Sequence, residues 1–342
     1  MQIRWNILSK YKNELYGFSI LWIILYHGTI KVPGALGKEL ALLSGFIKRG
    51  NCGVEIFLFL SGICLYYSMK KEFNIKNFYI RRFKRIIMPF LLINGSYWFV
   101  TCVVCKHDIL LFLKNITLFS FWFEGNKIAW FIALIIPLYI LYPFLFKYIL
   151  NNNKINRLFY IVLLCVTVYV ICGIIKYFEP KWFKMIEIAL TRIPVFLLGS
   201  YCGILAYENK TITSSVKLVS FIIVIMGIGY FYVYPIGVTK VFRSTYLLLG
   251  PSIAIWIAIC LKIISNNKLN ALLNNWGGLS LELYLSHMIL RNIFIKSFLI
   301  GNSKVINYYK YLIFVLLGAY VISKLVVYVQ EKIILKVSHV NK

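Results

Sequence analysis

The residues of this chain that could do chemistry are a few ionisable side chains set in long apolar runs. His27 stands in "ILWIILYHGT" (residues 20–29), and Glu55 follows the next short loop in "GVEIFLFL". A polar side chain there is costly unless it is hydrogen-bonded, paired or in a water-filled cavity. The spacing predicts that Glu55 accepts the proton on one ring nitrogen of His27, which leaves the other nitrogen as a general base. A structural histidine and an interfacial carboxylate are the alternatives.

A second group of ionisable residues lies in "GGLSLELYLSHMILR" (residues 277–291). Glu282 follows soon after Ser280, which is placed to cap a helix whose dipole favours an early carboxylate. His287 and Arg291 are four residues apart and share a helix face. Arg192, in "TRIPVFLLGSYCG", is a further buried candidate. These residues form either a binding site or a structural network between helices.

The composition indicates that these residues lie in a membrane protein. Of 342 residues, 61% are hydrophobic and only 14% are charged, against roughly 25% charged in soluble domains. The net charge of +27 sits in short stretches between apolar runs, as is typical of membrane proteins that contact anionic lipids. This pattern argues against a nucleic-acid partner. It leaves both a monomer and an oligomer open.

The apolar runs predict an all-α fold, a polytopic membrane helical bundle of about ten transmembrane helices, as one domain over residues 1–342. The predicted spans are 14–31, 52–69, 87–105, 128–146, 159–175, 188–207, 217–235, 246–262, 277–299 and 311–329. The segment "KKEFNIKNFYIRRFKR" (residues 70–85) has seven basic residues and is the strongest orientation signal. It predicts that this loop and both termini face the cytoplasm.

The same basic loop allows a second function. Four basic residues lie just before the third span, where guanidinium groups could hold the phosphates of a cytoplasmic ligand; they are Arg81, Arg82, Lys84 and Arg85. Anionic lipid headgroups are the alternative partners. Tyr16 lies eleven residues before His27, on the same face of the first helix and roughly 16 Å away along its axis. A ligand along that face could contact both positions.

No metal site is expected. "CVVC" (Cys102 and Cys105) has metal or redox spacing, but His107 is the single nearby histidine. Buried packing cysteines explain the pattern better.

Several of these stretches, taken in order, resemble one family. They are "LYGFSILWIILYHG", "GVEIFLFLSGICLYYS", "FYIRRFKRIIMPF", "WFIALIIPLYILYPFLF", "RIPVFLLGSYCG" and "SLELYLSHMIL". Together they are similar to the integral-membrane acyltransferases of family 3, which O-acetylate surface polysaccharides, lipopolysaccharide, peptidoglycan or antibiotics in bacteria. The resemblance runs from about residue 12 to residue 330.

The resemblance implies transfer of an acyl group, acetyl by default, from cytoplasmic acetyl-CoA or another acyl-CoA to a hydroxyl of a surface or lipid-linked glycan. It implies a bacterial cell membrane location and no bound cofactor. His27 matches the histidine of the family's first span, Glu55 its acidic "GVDIFF"-like position, and His287 the end of its late motif. Arg81 and Arg82 match its basic segment.

The chain departs from the family at Tyr16, where many members have an arginine. Lys12, on the adjoining turn, or the Arg81 and Arg82 pair could replace it in holding coenzyme A. Two other classes explain the spans without these motifs: a transporter or flippase for a glycan or small molecule, and a non-catalytic membrane scaffold.

Overall fold

The described part of the protein consists mostly of helices joined by short turns and loops. The computed structural model describes residues 2–31, 41–152, 155–233, 246–298 and 304–340, and no strand occurs in these ranges. The helices are α1 (Ile7–Lys10), α2 (Lys12–Lys31), α3 (Ala41–Ile47), α4 (Gly53–Lys71), α5 (Ile75–Val104), α6 (Ile109–Ile116), α7 (Phe119–Glu124), α8 (Trp130–Leu150), α9 (Arg157–Phe178), α10 (Pro180–Leu190), α11 (Ile193–Tyr207), α12 (Ser214–Val233), α13 (Tyr246–Ile264), α14 (Asn267–Gly278), α15 (Ser280–Phe298) and α16 (Lys304–Val340).

Seven segments within the described ranges are long and apolar enough to cross a membrane. They are Leu43–Lys71, Ile75–Val104, Trp130–Leu150, Arg157–Phe178, Pro180–Tyr207, Tyr246–Ile264 and Tyr308–Lys336. They confirm a polytopic helical membrane protein and correspond to seven of the ten predicted spans. The other three predicted spans lie largely in α2, α12 and α15, which are helical but are not among the seven; residues 234–235 and 299 of these spans lie outside the described residues. The count of ten and the cytoplasmic termini therefore stay predictions.

Burial separates the central helix from those at the edge. In the segment that contains α4, 83% of an 18-residue apolar stretch is buried inside the protein, against 11% of the corresponding stretch in α9. Helix α4 packs closely on α11 because each of the two helices has a glycine that faces the backbone of the other. A methyl group at Gly62 would overlap the Phe196 carbonyl, and one at Gly199 would overlap the Phe59 carbonyl. Small residues at such contacts let membrane helices approach closely.

Helix α2 is the element that gathers the site, since it contacts α4, α14, α15 and α16. Its approach to α14 is close enough that a side chain at Gly277 would overlap the Asn13 carbonyl.

Helix α5 is widened where its basic residues lie. Residues Phe83–Ile87 form a π-helical turn, and Pro89 follows two residues after its end. Proline has no backbone N–H, so the ordinary helical hydrogen bond from residue 89 to the carbonyl of residue 85 cannot form. The widened turn accommodates that loss, and Arg85 lies within it.

Candidate active site

The two histidines singled out from the sequence meet in the structure. His27 Nδ1 lies 3.0 Å from His287 Nε2, and the rings stack with centroids 5.2 Å apart. His287 is fully buried on α15, whereas His27, four residues from the end of α2, is half-buried. The contact joins the first and the late sequence motifs, which are 260 residues apart.

The hydrogen bond made by the second nitrogen of His287 determines which nitrogens of the two rings carry protons. His287 Nδ1 lies 3.0 Å from the Leu283 carbonyl oxygen, and a carbonyl can only accept, so Nδ1 donates. With both rings neutral, His287 Nε2 is then an acceptor, and His27 Nδ1 donates to it. His27 Nε2 therefore has no proton and presents a lone pair. The arrangement leaves one basic nitrogen, on His27.

The predicted pairing of His27 with Glu55 is wrong, because the structure gives each residue another partner. Arg192 Nε donates to Glu55 Oε1 across 2.7 Å, and both side chains are almost fully buried. Arg192 also donates to the Ile188 carbonyl and stacks on the Trp130 ring, with its guanidinium 4.9 Å from the centroid. A guanidinium neutralises a buried carboxylate better than a neutral imidazole does.

A second buried carboxylate is also paired with an arginine. Glu282, in the first turn of α15, is fully buried and accepts from Arg85 Nη1 across 2.8 Å. Arg85 Nη2 donates to the Gly278 carbonyl. This ion pair connects the π-helical turn of α5 to the helix that carries His287. Arg291, one turn beyond His287, contacts the Asn292 side chain at 3.4 Å.

A cavity of about 260 Å³ leads toward the histidine pair. It reaches Ile23 on α2 and Tyr284 on α15, each about one turn before a histidine in its helix. The Tyr284 ring also contacts the His287 ring edge-on, at 5.6 Å between centroids. The lining residues are Lys12, Asn13, Tyr16, Ile23, Val54, Phe57, Ser61, Cys64, Arg82, Arg85, Ile86, Phe131, Ile135, Tyr139, Gly277, Gly278, Ser280, Leu281 and Tyr284.

The cations of the cavity are Lys12, Arg82 and Arg85, and most of its lining surface is apolar. Arg82 lies over the rings of Phe78 and Tyr139, at 5.4 and 5.9 Å from the centroids. This arrangement suits a ligand with an anionic head and a long uncharged arm.

Arg81, the neighbour of Arg82, faces elsewhere. It donates to Glu72 across 2.7 Å and is not among the lining residues of the cavity. Hydrogen bonds from Asn77 and from Arg81 lower the pKa of Glu72. Of the predicted pair, Arg82 therefore lines the cavity, whereas Arg81 is paired with Glu72 outside it.

Tyr16, the position at which the resemblance led us to expect an arginine, lines the cavity. Its ring stacks on Phe57 at 5.2 Å, and its hydroxyl lies 4.0 Å from the Cys64 sulfur. Lys12, one turn earlier, supplies a cation to the same cavity.

The sequence included Arg85 and Lys84 in the basic cluster before the third span, but it did not single out Tyr284. Of those two cations, Arg85 lines the cavity and Lys84 does not. Tyr284 had a usable signal, since it lies three residues before His287 and shares its helix face.

Searches of curated proteins and of solved structures returned no match. The model of a family described as an acyltransferase domain matches residues 15–324, a range that contains both histidines, most of the bundle and every lining residue of the cavity except Lys12 and Asn13. The chain therefore belongs to the integral-membrane acyltransferases of family 3.

Proposed function

We propose that this membrane acyltransferase is an O-acetyltransferase. It moves an acetyl group from acetyl-CoA, or a related acyl-CoA, to a hydroxyl of a cell-surface or lipid-linked glycan. We place it in the bacterial cell membrane, with the basic mouth of the cavity facing the cytoplasm. The observation that carries the proposal is the His27–His287 pair, about one helical turn beyond Ile23 and Tyr284 of a cavity that Lys12, Arg82 and Arg85 also line.

The donor fits the cavity by charge and by length. Lys12 and Ile23 are eleven residues apart on α2, roughly 16 Å along the helix axis. Coenzyme A combines a phosphorylated head with a long arm that ends in the thioester. With its phosphates near Lys12, Arg82 and Arg85, the arm would lie along the apolar wall toward the histidines.

His27 Nε2 is the base in this proposal. It takes the proton of the acceptor hydroxyl as the oxygen attacks the thioester carbonyl, so a C–O bond forms and the C–S bond breaks. The leaving thiolate takes the proton back from His27. His287 accepts a hydrogen bond from His27 Nδ1–H throughout and stabilises the imidazolium. It performs the task that the sequence assigned to Glu55. In place of that catalytic role, we propose that Glu55 and Arg192 hold α4 against the start of α11.

The test uses inside-out membrane vesicles with radiolabelled acetyl-CoA and the host's own glycan. His27→Ala should abolish transfer, and His107→Asn is the matched control. His107 is exposed and has a positive φ of 55°, which asparagine tolerates. Equal transfer by wild type and His27→Ala would contradict the proposal. Glycan movement without an acyl donor would support a transporter instead.

A further inference from the structure

A second groove lies beside the cavity and belongs to no step of the proposed reaction. Its volume is about 470 Å³, and Arg85 and Gly278 line both spaces. Its walls come from the π-helical turn of α5, from the end of α14 with Leu279, and from residues 324–334 of α16.

The groove has the donors of an anion site. Gln330 lines it, is only 8% exposed, and has a side-chain Nε2 without a hydrogen-bond partner. A buried donor with no acceptor is unfavourable, so an occupant with acceptor oxygens would remove that cost. Lys84 and Lys324 line the same groove. The hydrogen bond from Lys324 Nζ to Asn275 Oδ1 is long, at 3.4 Å. Glu331 is the one carboxylate among the lining residues, against Lys84, Lys324 and Arg85, of which Arg85 is already paired with Glu282.

The groove also opens on the lipid-facing side of the bundle. Only 22% of the apolar window of Tyr308–Lys336 is buried, and α16 exposes Val321, Leu325 and Tyr328. Val327 and Ile334 continue this apolar surface into the groove itself. An occupant that combines phosphate with hydrocarbon matches both parts.

We propose that this groove binds the phosphate of an anionic phospholipid, such as phosphatidylglycerol. The lipid comes from the leaflet next to the basic 70–85 segment. The ammonium groups of Lys84 and Lys324 and the Gln330 amide donate to the phosphate oxygens, and the acyl chains lie against Val327 and Ile334. This site does not depend on the proposed acetyl transfer.

The experiment is lipid retention on the purified full-length chain in detergent, measured by native mass spectrometry with phosphatidylglycerol and, separately, phosphatidylcholine. The double variant Lys84→Ala/Lys324→Ala and the single variant Gln330→Leu should each lower phosphatidylglycerol affinity at least tenfold. Lys147→Ala, which removes an exposed lysine from α8, should leave it unchanged. Unchanged affinity in both groove variants would overturn the proposal.

Two further arms separate misfolding and a soluble ligand from a lipid site. Glu331→Gln removes the one carboxylate, so phosphatidylglycerol should bind at least as tightly as in wild type; a loss would overturn the charge argument. Adenosine 3′,5′-bisphosphate supplies phosphates without a lipid. If it displaces phosphatidylglycerol and the double variant loses both, the groove is a soluble phosphate site and the lipid assignment is wrong.

Discussion

Arg192 Nε lies 2.7 Å from Glu55 Oε1, and the two side chains are 2% and 0% exposed. The pair joins the early part of α4 to the residue just before α11. Trp130 covers the guanidinium, and Gly250 leaves room beside the Glu55 side chain. Such a pair is tolerated in an apolar interior because each charge neutralises the other.

The first prediction is that Glu55→Gln destabilises the fold, because it leaves the Arg192 charge buried and uncompensated. Removing one partner of a buried pair costs about 3–5 kcal/mol. Thermal unfolding of the purified protein in detergent should show a lower Tm. The double variant Glu55→Leu/Arg192→Met should recover most of the loss. If Glu55→Gln keeps its Tm but loses transfer, Glu55 is catalytic after all.

The second prediction concerns His287, which holds a proton of His27 in the described tautomer. His287→Ala should lower kcat by roughly 10²- to 10⁴-fold, the range typical of a lost acid–base partner. The KM for acyl-CoA should change little, since His287 is not among the residues that line the cavity. Steady-state kinetics in vesicles measures both parameters. A change confined to KM would show that His287 acts in donor binding.

Much of the architecture was predictable because its cause is local. A membrane makes every long apolar run helical, and the runs themselves are visible in the sequence. The choice of polar partners was not local. The sequence predicted Glu55 as the partner of His27 because a short loop separates their helices, and it placed His287 in a separate cluster. The structure decided otherwise because Arg192, 137 residues away, reaches the carboxylate.

The third prediction compares the neighbours Arg82 and Arg81. Arg82 lines the cavity, whereas Arg81 is paired with exposed Glu72. Arg82→Ala should therefore raise the KM for acyl-CoA roughly tenfold to a hundredfold, as expected for a lost charge-assisted hydrogen bond. Arg81→Ala should change it less than threefold. Equal effects of the two variants on KM would show that the acyl-CoA donor does not bind in this cavity.

The fourth prediction tests the contact that fixes α2, and with it His27, against α14. A methyl group at Gly277 would overlap the Asn13 carbonyl, and backbone on both sides leaves no flexible side chain to move. Gly277→Ala should lower the Tm and, by displacing α2, the rate of transfer. Gly173→Ala is the matched control, because nothing lies within 4 Å of the added methyl group. That change removes a helix-interior glycine and should raise stability by about 0.5–1 kcal/mol. If Gly277→Ala unfolds at the wild-type Tm, the close approach of α2 and α14 is wrong, and the support for the position of His27 must be sought in α4 and α15.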